Sequence, residues 1–452
     1  MKFSLNGAGP AGLDWIERDI ASLSPSYSRE YALVVDHAEG SEVWDVDGRR
    51  YIDFMAGVAV LNAGHRHPRV QAAVAEQLDK FWHICLSDFF YPPAIELAEK
   101  LQAIAPMRDE TLVYFGNSGT EAVEAAIKLA MSTTRRTRFI GFTGAFHGRT
   151  LGSLSFTASK AVQRANYMAG VKVYHVPYPN AYRPVLVGKP DESYGETVVD
   201  YLEEEIFRTM LAPTDVAGIL VEPIQGEGGY IVPAPNFFAR LRELCDRHGI
   251  LLMLDEIQSG AGRTGKWWGI EHENVEPDIV CFAKGIGSGL PIGGIIARKE
   301  LMGWGPGSHG STFGGNPVAA AAALATLQVI EDEGLMDQAS ETGEFIMDAL
   351  VEMEARHPSI GEVRGRGLMV GIEFVRDRQS KERAADLRDH IIQRAFESGL
   401  LLIPCGSNSI RMTPPLNISR SLVEEGLHIF ESALTEAEAR YLPDGTGTRV
   451  PA

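Results

Sequence analysis

Leu251-Leu252-Met253-Leu254-Asp255-Glu256-Ile257-Gln258-Ser259-Gly260 opens the stretch that decides the fold. Gly262-Arg263-Thr264-Gly265 follow, and a second apolar run, Ile279-Val280-Cys281-Phe282, leads through Ala283 to Lys284. After Lys284 comes the glycine-rich Gly285-Ile286-Gly287-Ser288-Gly289-Leu290-Pro291. The two apolar runs read as short buried strands, each delivering one ionisable residue at its C-terminal end. In open α/β sheets that is the edge where ligands bind. The glycines beyond Lys284 let backbone approach closely, so a flat or phosphorylated group could sit against it. A third run, Val216 to Val221, ends at Glu222-Pro223, and Pro223 holds Glu222 out of helix. Alternation of such strands with helical stretches, as over 235–247, predicts a three-layer α/β fold: a mostly parallel sheet wrapped by helices.

The chain has 452 residues, enough for two or three structural units and a large core without staples. There are 60 acidic and 42 basic residues, for a formal net charge of −18. That balance argues against nucleic acid and anionic membrane partners, though local arginines could still hold small anions. Cys85, Cys245, Cys281 and Cys405 lie far apart with no CxxC, and read as reduced, mostly buried thiols of a cytoplasmic protein. No stretch approaches a membrane span, and residues 1–12 lack the apolar core of a signal peptide.

Working outward, residues 1–30 read as a mobile entry segment with a short helix near Trp15–Leu23. Residues 38–54 read as a meander, with Asp47-Gly48 as a two-residue hairpin signal. His65 and His67 are spaced by two on a glycine-containing loop, which is a weak metal signal, and no metal is expected. Tyr114-Phe115-Gly116-Asn117-Ser118-Gly119-Thr120-Glu121 ends a strand and opens a helix, with Ser118 and Glu121 at capping-box spacing. Free N–H groups and the positive dipole end at such a start suit a phosphate. Ala145-Phe146-His147-Gly148-Arg149-Thr150 offers an aromatic for stacking on a ring and an arginine whose fork suits a carboxylate. Gly310-Ser311-Thr312-Phe313-Gly314-Gly315-Asn316-Pro317 is a turn-rich loop before a long alanine-rich helix. The chain then reads as a C-terminal domain with strands near 368–374, 400–404 and 409–415, helices near 383–397 and 419–439, and a tail that frays after Pro443.

The stretch from Asp255 to Lys284 resembles the signature of the class III aminotransferases, which use pyridoxal 5'-phosphate and have the type I fold. The resemblance runs from about Val34 to Leu442. It implies that Lys284 forms the Schiff base and later moves the proton, and that Asp255 keeps the pyridinium nitrogen protonated, making the ring an electron sink. It implies Ser118, Gly119 and Thr120 as the phosphate cup, Phe146 over the ring, Gln258 on the ring-hydroxyl side, and His147 and Glu222 as further cofactor contacts. The residue matching Thr312 reaches the neighbouring subunit's phosphate site, so a homodimer is implied, with tetramers left open. Arg149 matches the arginine that takes a remote substrate carboxylate. Arg411 would take the carboxylate beside the amine, with Glu227 pairing it and swinging aside for glutamate.

The expected organisation is an N-terminal segment over 1–60 joining the small domain, a large cofactor domain over 61–325, and a C-terminal part over 326–452 that completes the smaller α+β domain. Ile52 to Pro68 looks most like the 4-aminobutyrate branch, where the aliphatic Val58 leaves an apolar wall for a methylene chain. The expected function is transfer of an amino group from 4-aminobutyrate or a related ω-amino acid to 2-oxoglutarate by a ping-pong route. An ornithine or acetylornithine aminotransferase is one alternative. An amino-acid racemase or epimerase of the same family is another, in which an aspartate stands where this chain has Glu227. A catalytically silent cofactor-binding protein is the third, disfavoured because Lys284 and Asp255 are both kept.

Overall fold

The three apolar runs that end in Glu222, Asp255 and Lys284 are adjacent strands of one seven-stranded sheet in the computed structural model, which describes residues 8–188 and 193–442. Its order is Thr111–Gly116, Gly293–Arg298, Ile279–Phe282, Leu251–Asp255, Val216–Val221, Arg138–Phe142 and Lys172–Val176. The last five are mutually parallel. Gly293–Arg298 runs antiparallel to both its neighbours, a reversal that its apolar Gly-Gly-Ile-Ile-Ala run did not announce.

Helices cover both faces of this sheet. Gly119–Thr134 buries Ala122, Val123, Ala126, Ile127 and Ala130 at helical spacing, and its small alanines let it lie close to Phe139, Leu220, Met253 and Cys281. On the other face, Phe237–His248 sets Phe237, Phe238, Leu241 and Leu244 against Ile219, Leu252, Leu254 and Val280. Each such fully buried side chain contributes about 1.5–3 kcal/mol relative to staying in water. Gly249, at φ +58, closes that helix in the left-handed cap that favours glycine.

All of this belongs to one unit, Pro68–Asp337. A second unit is built from both chain ends, the residues up to His67 and those from Gln338 onward. Within it, Val35–Glu39, Glu42–Asp45 and Arg50–Asp53 form the antiparallel meander, and Leu400–Leu401 adds a parallel strand beside Arg50–Asp53. The hairpin at Asp47-Gly48 is a three-residue loop and not the two-residue turn expected. Asp45 N–H bonds Arg49 O at 3.0 Å, Gly48 takes φ +83, and the Asp45 carboxylate accepts the N–H groups of Asp47 and Arg49. A separate antiparallel sheet orders Ile360–Arg366, Met369–Phe374, Ser409–Met412 and Ile403–Cys405.

The long alanine-rich helix from Pro317 ends earlier than its composition suggested. It stops at Asp332, Gly334 turns at φ +63, and a second helix runs Leu335–Arg356. The N-terminal helix is Pro10–Ser22, with Pro10 at its first turn. The tail beyond Pro443 and the first seven residues lie outside the described residues. No cysteine is in a disulfide; Cys245, Cys281 and Cys405 are buried and Cys85 partly so. Burial pushes the Cys245 thiol up to about 12. Among the described residues no helix is long and apolar enough to cross a membrane, and no cluster of His, Cys, Asp and Glu is placed to hold a metal. His65 instead lies 2.8 Å from Asp53 Oδ2 through Nε2.

Candidate active site

Asp255 is the last residue of its strand, opposite Cys281 of the neighbouring one. Three residues past Cys281 stands Lys284, so both ionisable groups emerge at the C-terminal edge of adjacent parallel strands. Ala283 is extended and Lys284 itself takes φ +47. A non-glycine residue held in that left-handed region costs about 1–3 kcal/mol. Here the cost falls on the one lysine singled out by the sequence.

His147 is buried with Asp255. Its Nδ1 lies 2.6 Å from Asp255 Oδ2, while Ile257 N–H donates to Oδ1 at 3.1 Å. Burial by itself would lower the His147 pKa; the hydrogen bond and charge of Asp255, with Glu222 beyond, more than offset it and hold it above the ordinary value. His147 N–H donates to Thr157 Oγ1 at 2.9 Å, fixing the loop that carries the ring. The Glu222 carboxylate accepts the N–H groups of Phe146, at 3.0 Å, and Gly226. Burial raises its pKa to about 7, and the nearby Asp255 charge adds to that. Glu222, His147 and Asp255 thus form one buried cluster of ionisable groups at the strand ends.

Ser118 caps Gly119–Thr134, and its Oγ accepts from Glu121 N–H. The other half of the expected capping box is redirected: Glu121 Oε2 accepts the N–H of Asn117 at 2.8 Å. The Thr120 hydroxyl is engaged with Thr150 Oγ1 at 2.8 Å and Ser153 Oγ at 2.6 Å. What remains for an anion are the first-turn N–H groups of Gly119 and Thr120, which have no acceptor within their own helix. The surroundings leave room for no more than glycine at two points. A Cβ on Gly119 would come within 2.8 Å of Ile257 Cδ1, and one on Gly148, at φ +127, within 2.4 Å of Thr120 Oγ1.

Phe146 lies half-buried next to His147, and the exposed Arg149 guanidinium sits over its ring, 5.4 Å from the centroid. Gln258 packs by the Glu222 loop, with its Oε1 3.2 Å from where a Cβ on Gly226 would lie. Glu227, on the same loop, receives Lys160 Nζ at 2.7 Å. Thr312 is exposed, while its neighbour Ser311 accepts from Asn117 Nδ2 at 3.0 Å and ties that loop beside the start of helix Gly119–Thr134. The structure therefore groups Ser118, Gly119, Thr120, Phe146, His147, Arg149, Glu222, Glu227, Asp255, Gln258, Lys284 and Thr312 in the Pro68–Asp337 unit.

Val58 and Arg411 belong to the other unit. Arg411 is buried on Ser409–Met412, opposite Gly371 and Ile403. Val58 sits in a turn where Ala56, Gly57, Val58 and Ala59 all have positive φ, 46° to 69°. Asp53 Oδ1 holds this turn by accepting the N–H groups of Met55 and Ala56 at 2.8 and 2.9 Å. Lys160 was not anticipated from the sequence. Its partner is 67 residues away, and a lysine in Thr157-Ala158-Ser159-Lys160-Ala161 carries no local signal.

Residues 24–434 match the family described as aminotransferase class-III. An alanine/serine racemase of Pyrococcus horikoshii is 40% identical over 96% of this chain and 93% of its own length. The 4-aminobutyrate aminotransferase GabT of Escherichia coli is 40% identical over 90% of this chain and 95% of its own length. Among solved structures, the ω-transaminase of Pseudomonas jessenii in complex with PMP has a TM-score of 0.88 at 29% identity, covering 95% of this chain and 99% of that one.

Proposed function

The chain belongs to the class-III aminotransferases, and from that premise we propose that it moves an amino group from 4-aminobutyrate or a related ω-amino acid to 2-oxoglutarate by a ping-pong route. The observation that carries the chemistry is the emergence of Asp255 and Lys284 at the C-terminal edge of adjacent parallel strands, with His147 Nδ1 at 2.6 Å from the carboxylate. The donor class is supported by the GabT relative and by the aliphatic Val58.

The cofactor is pyridoxal 5'-phosphate, and the residues present fit it. Gly119 and Thr120 offer N–H donors at a helix start, and Asp255 is a buried carboxylate with His147 Nδ1 at 2.6 Å, on the strand beside the one that leads to Lys284. When bound, this cofactor supplies an aldehyde that takes up an amino group and a pyridinium ring that draws electrons from the carbon bearing it. The protein's part is positional and protonic. Asp255 Oδ1 or Oδ2 holds a proton on the ring nitrogen by charge. His147 Nδ1 keeps that carboxylate oriented. Lys284 Nζ would hold the cofactor's aldehyde carbon and, when free, would be the base that moves the proton from the donor carbon to the cofactor carbon. Phe146 would cover the ring, and Ser118, Gln258 and Glu222 would complete its contacts. Arg149 holds the remote carboxylate in both half-reactions, and Arg411 holds the one beside the amine in glutamate. 4-Aminobutyrate has nothing in the place of glutamate's second carboxylate, and Glu227 is the residue assigned to that difference between the two substrates.

The active unit we propose is a homodimer in which Thr312 contacts the partner's phosphate site. Trp82, Phe89, Phe90 and Phe313 support this: they are exposed on the single chain, Phe90 at 95%, and Phe313 adjoins Thr312. The four unpaired thiols fit the cytoplasm.

The Pyrococcus relative favours a second reading, racemisation of an α-amino acid. One experiment separates the two. The holoenzyme is given 4-aminobutyrate, ornithine or a single-enantiomer amino acid with no 2-oxo acid, and the cofactor spectrum is followed. Conversion to the amine form by 4-aminobutyrate supports the transferase. Loss of optical activity with the aldehyde form retained would establish the racemase in its place.

A further inference from the structure

We propose that Glu124 is a positioning residue for the cofactor's phosphate group: through Thr150 and Ser153 it grips the Thr120 side chain and so fixes the first-turn N–H groups of Gly119 and Thr120. The inference rests on the reading above, in which those N–H groups take the phosphate. Half-buried Glu124 stands one turn along the helix from Thr120, where its charge opposes a bound anion. A single oxygen of it, Oε1, accepts the Gly152 N–H at 3.0 Å, the Ser153 N–H at 3.1 Å and the Thr150 hydroxyl.

The bond from Thr150 sets the direction of the others. A carboxylate only accepts, so Thr150 gives its one hydroxyl proton to Glu124. Its oxygen is then left as an acceptor for the hydroxyls of Thr120, at 2.8 Å, and Ser153, at 3.0 Å. Ser153 Oγ lies 2.6 Å from Thr120 Oγ1 in turn, so the Thr120 hydroxyl is held from two sides and its rotamer is fixed. Backbone closes over this cluster. A Cβ on Gly152 would fall 2.2 Å from Glu124 Oε2, and one on Gly148 would fall 2.4 Å from Thr120 Oγ1. The Thr150 N–H also points to Thr120 Oγ1, at 3.4 Å. Without Glu124, the N–H groups of Gly152 and Ser153 lose their shared side-chain acceptor, Thr150 can turn its proton inward, and the grip on Thr120 loosens.

Cofactor is removed from the holoenzyme and returned by titration, once as pyridoxal 5'-phosphate and once as pyridoxal, with occupancy read from its absorbance. Glu124→Ala should weaken pyridoxal 5'-phosphate about tenfold, as loss of a hydrogen bond to a charged group does, and pyridoxal less than about twofold. Glu124→Gln should restore binding of the phosphate form, because an amide oxygen can take the same donors and brings no opposing charge. Thr120→Val should reproduce the loss, and adding Glu124→Ala to it should weaken binding no further. Equal losses for both ligands, no rescue by Glu124→Gln, or losses that add in the double variant would each overturn the proposal. Gly119→Ala, which drives a methyl against Ile257, tests the phosphate reading separately. If it lowers affinity for the phosphate form and Glu124→Ala does not, the proposal alone fails. If neither variant lowers it, the phosphate reading fails as well.

Discussion

Asp255 Oδ2 and His147 Nδ1 lie 2.6 Å apart, with both side chains almost wholly removed from water. A buried carboxylate is costly unless paired, and an imidazole whose pKa that carboxylate raises is a suitable partner. Asp255 ends its strand, and His147 is carried by a loop that Thr157 Oγ1 fixes at 2.9 Å, so sheet and loop together set the geometry of the pair.

Asp255→Asn is expected to keep the fold and lose more than tenfold in transamination rate, about 1.4 kcal/mol of barrier. An amide cannot hold a ring proton by charge. A smaller loss in steady-state assays would mean that the ring nitrogen has another partner.

Lys284→Ala is expected to retain pyridoxal phosphate through phosphate and ring contacts yet not turn over. Normal steady-state transamination by this variant would remove Lys284 from the chemistry. The truncation also gives up a side chain held at φ +47.

Glu227→Gln should impair the 4-aminobutyrate half-reaction much more than the glutamate half-reaction. Arg411→Lys should do the reverse, because a point charge replaces a two-pronged fork. Single-turnover rates read from the cofactor spectrum check both. Equal losses in both halves would show that neither residue distinguishes the two substrates.

Glu256 gives a pH signature apart from catalysis. It is buried, accepts from Ser259 Oγ, Gly269 N–H and Ile270 N–H, and burial pushes its pKa up to about 7 from an ordinary 4.5. A pKa raised on folding means the folded state holds the proton more tightly. That contribution is full below the unfolded value and is lost as pH rises through about 7, at up to about 1.4 kcal/mol per pH unit. Glu256→Gln should therefore be less stable than wild type at pH near 5.5, where one N–H loses its acceptor at about 1–3 kcal/mol. The gap in urea midpoint should narrow toward pH 8. A gap independent of pH would show that Glu256 is ionised throughout.

Thr312 predicts an obligate dimer. Sedimentation at assay concentration should find no active monomer, and Thr312→Ala should weaken retention of the cofactor on dialysis. A fully active monomer contradicts both expectations.

The parallel core was legible because strands buried on both faces read as uninterrupted apolar runs; Val216–Val221 and Ile279–Phe282 have the expected limits. The strand Gly293–Arg298 was not, since direction within a sheet leaves no mark in composition. The ionisable residues at strand ends could be picked out one by one. Their partners could not: His147 reaches Asp255 across 108 positions, and the Lys160–Glu227 pair depends on two loops being fixed in space. Local rules also competed. Glu121 stands at capping-box spacing yet serves Asn117, and the Asp47-Gly48 hairpin was lengthened by the carboxylate of Asp45.

The left-handed turn over Ala56–Ala59 bears on how this enzyme could change. Substitutions that widen a pocket ordinarily cost stability, which limits how many a lineage or an engineer can accumulate. Val58 is a β-branched residue at φ +69, held there by Asp53. Glycine at that position would shed strain of about 1–3 kcal/mol, offsetting the extra freedom it gives the unfolded chain. Opening the wall assigned to Val58 is then an inexpensive first move toward bulkier donors, and it leaves margin for the destabilising changes that must follow.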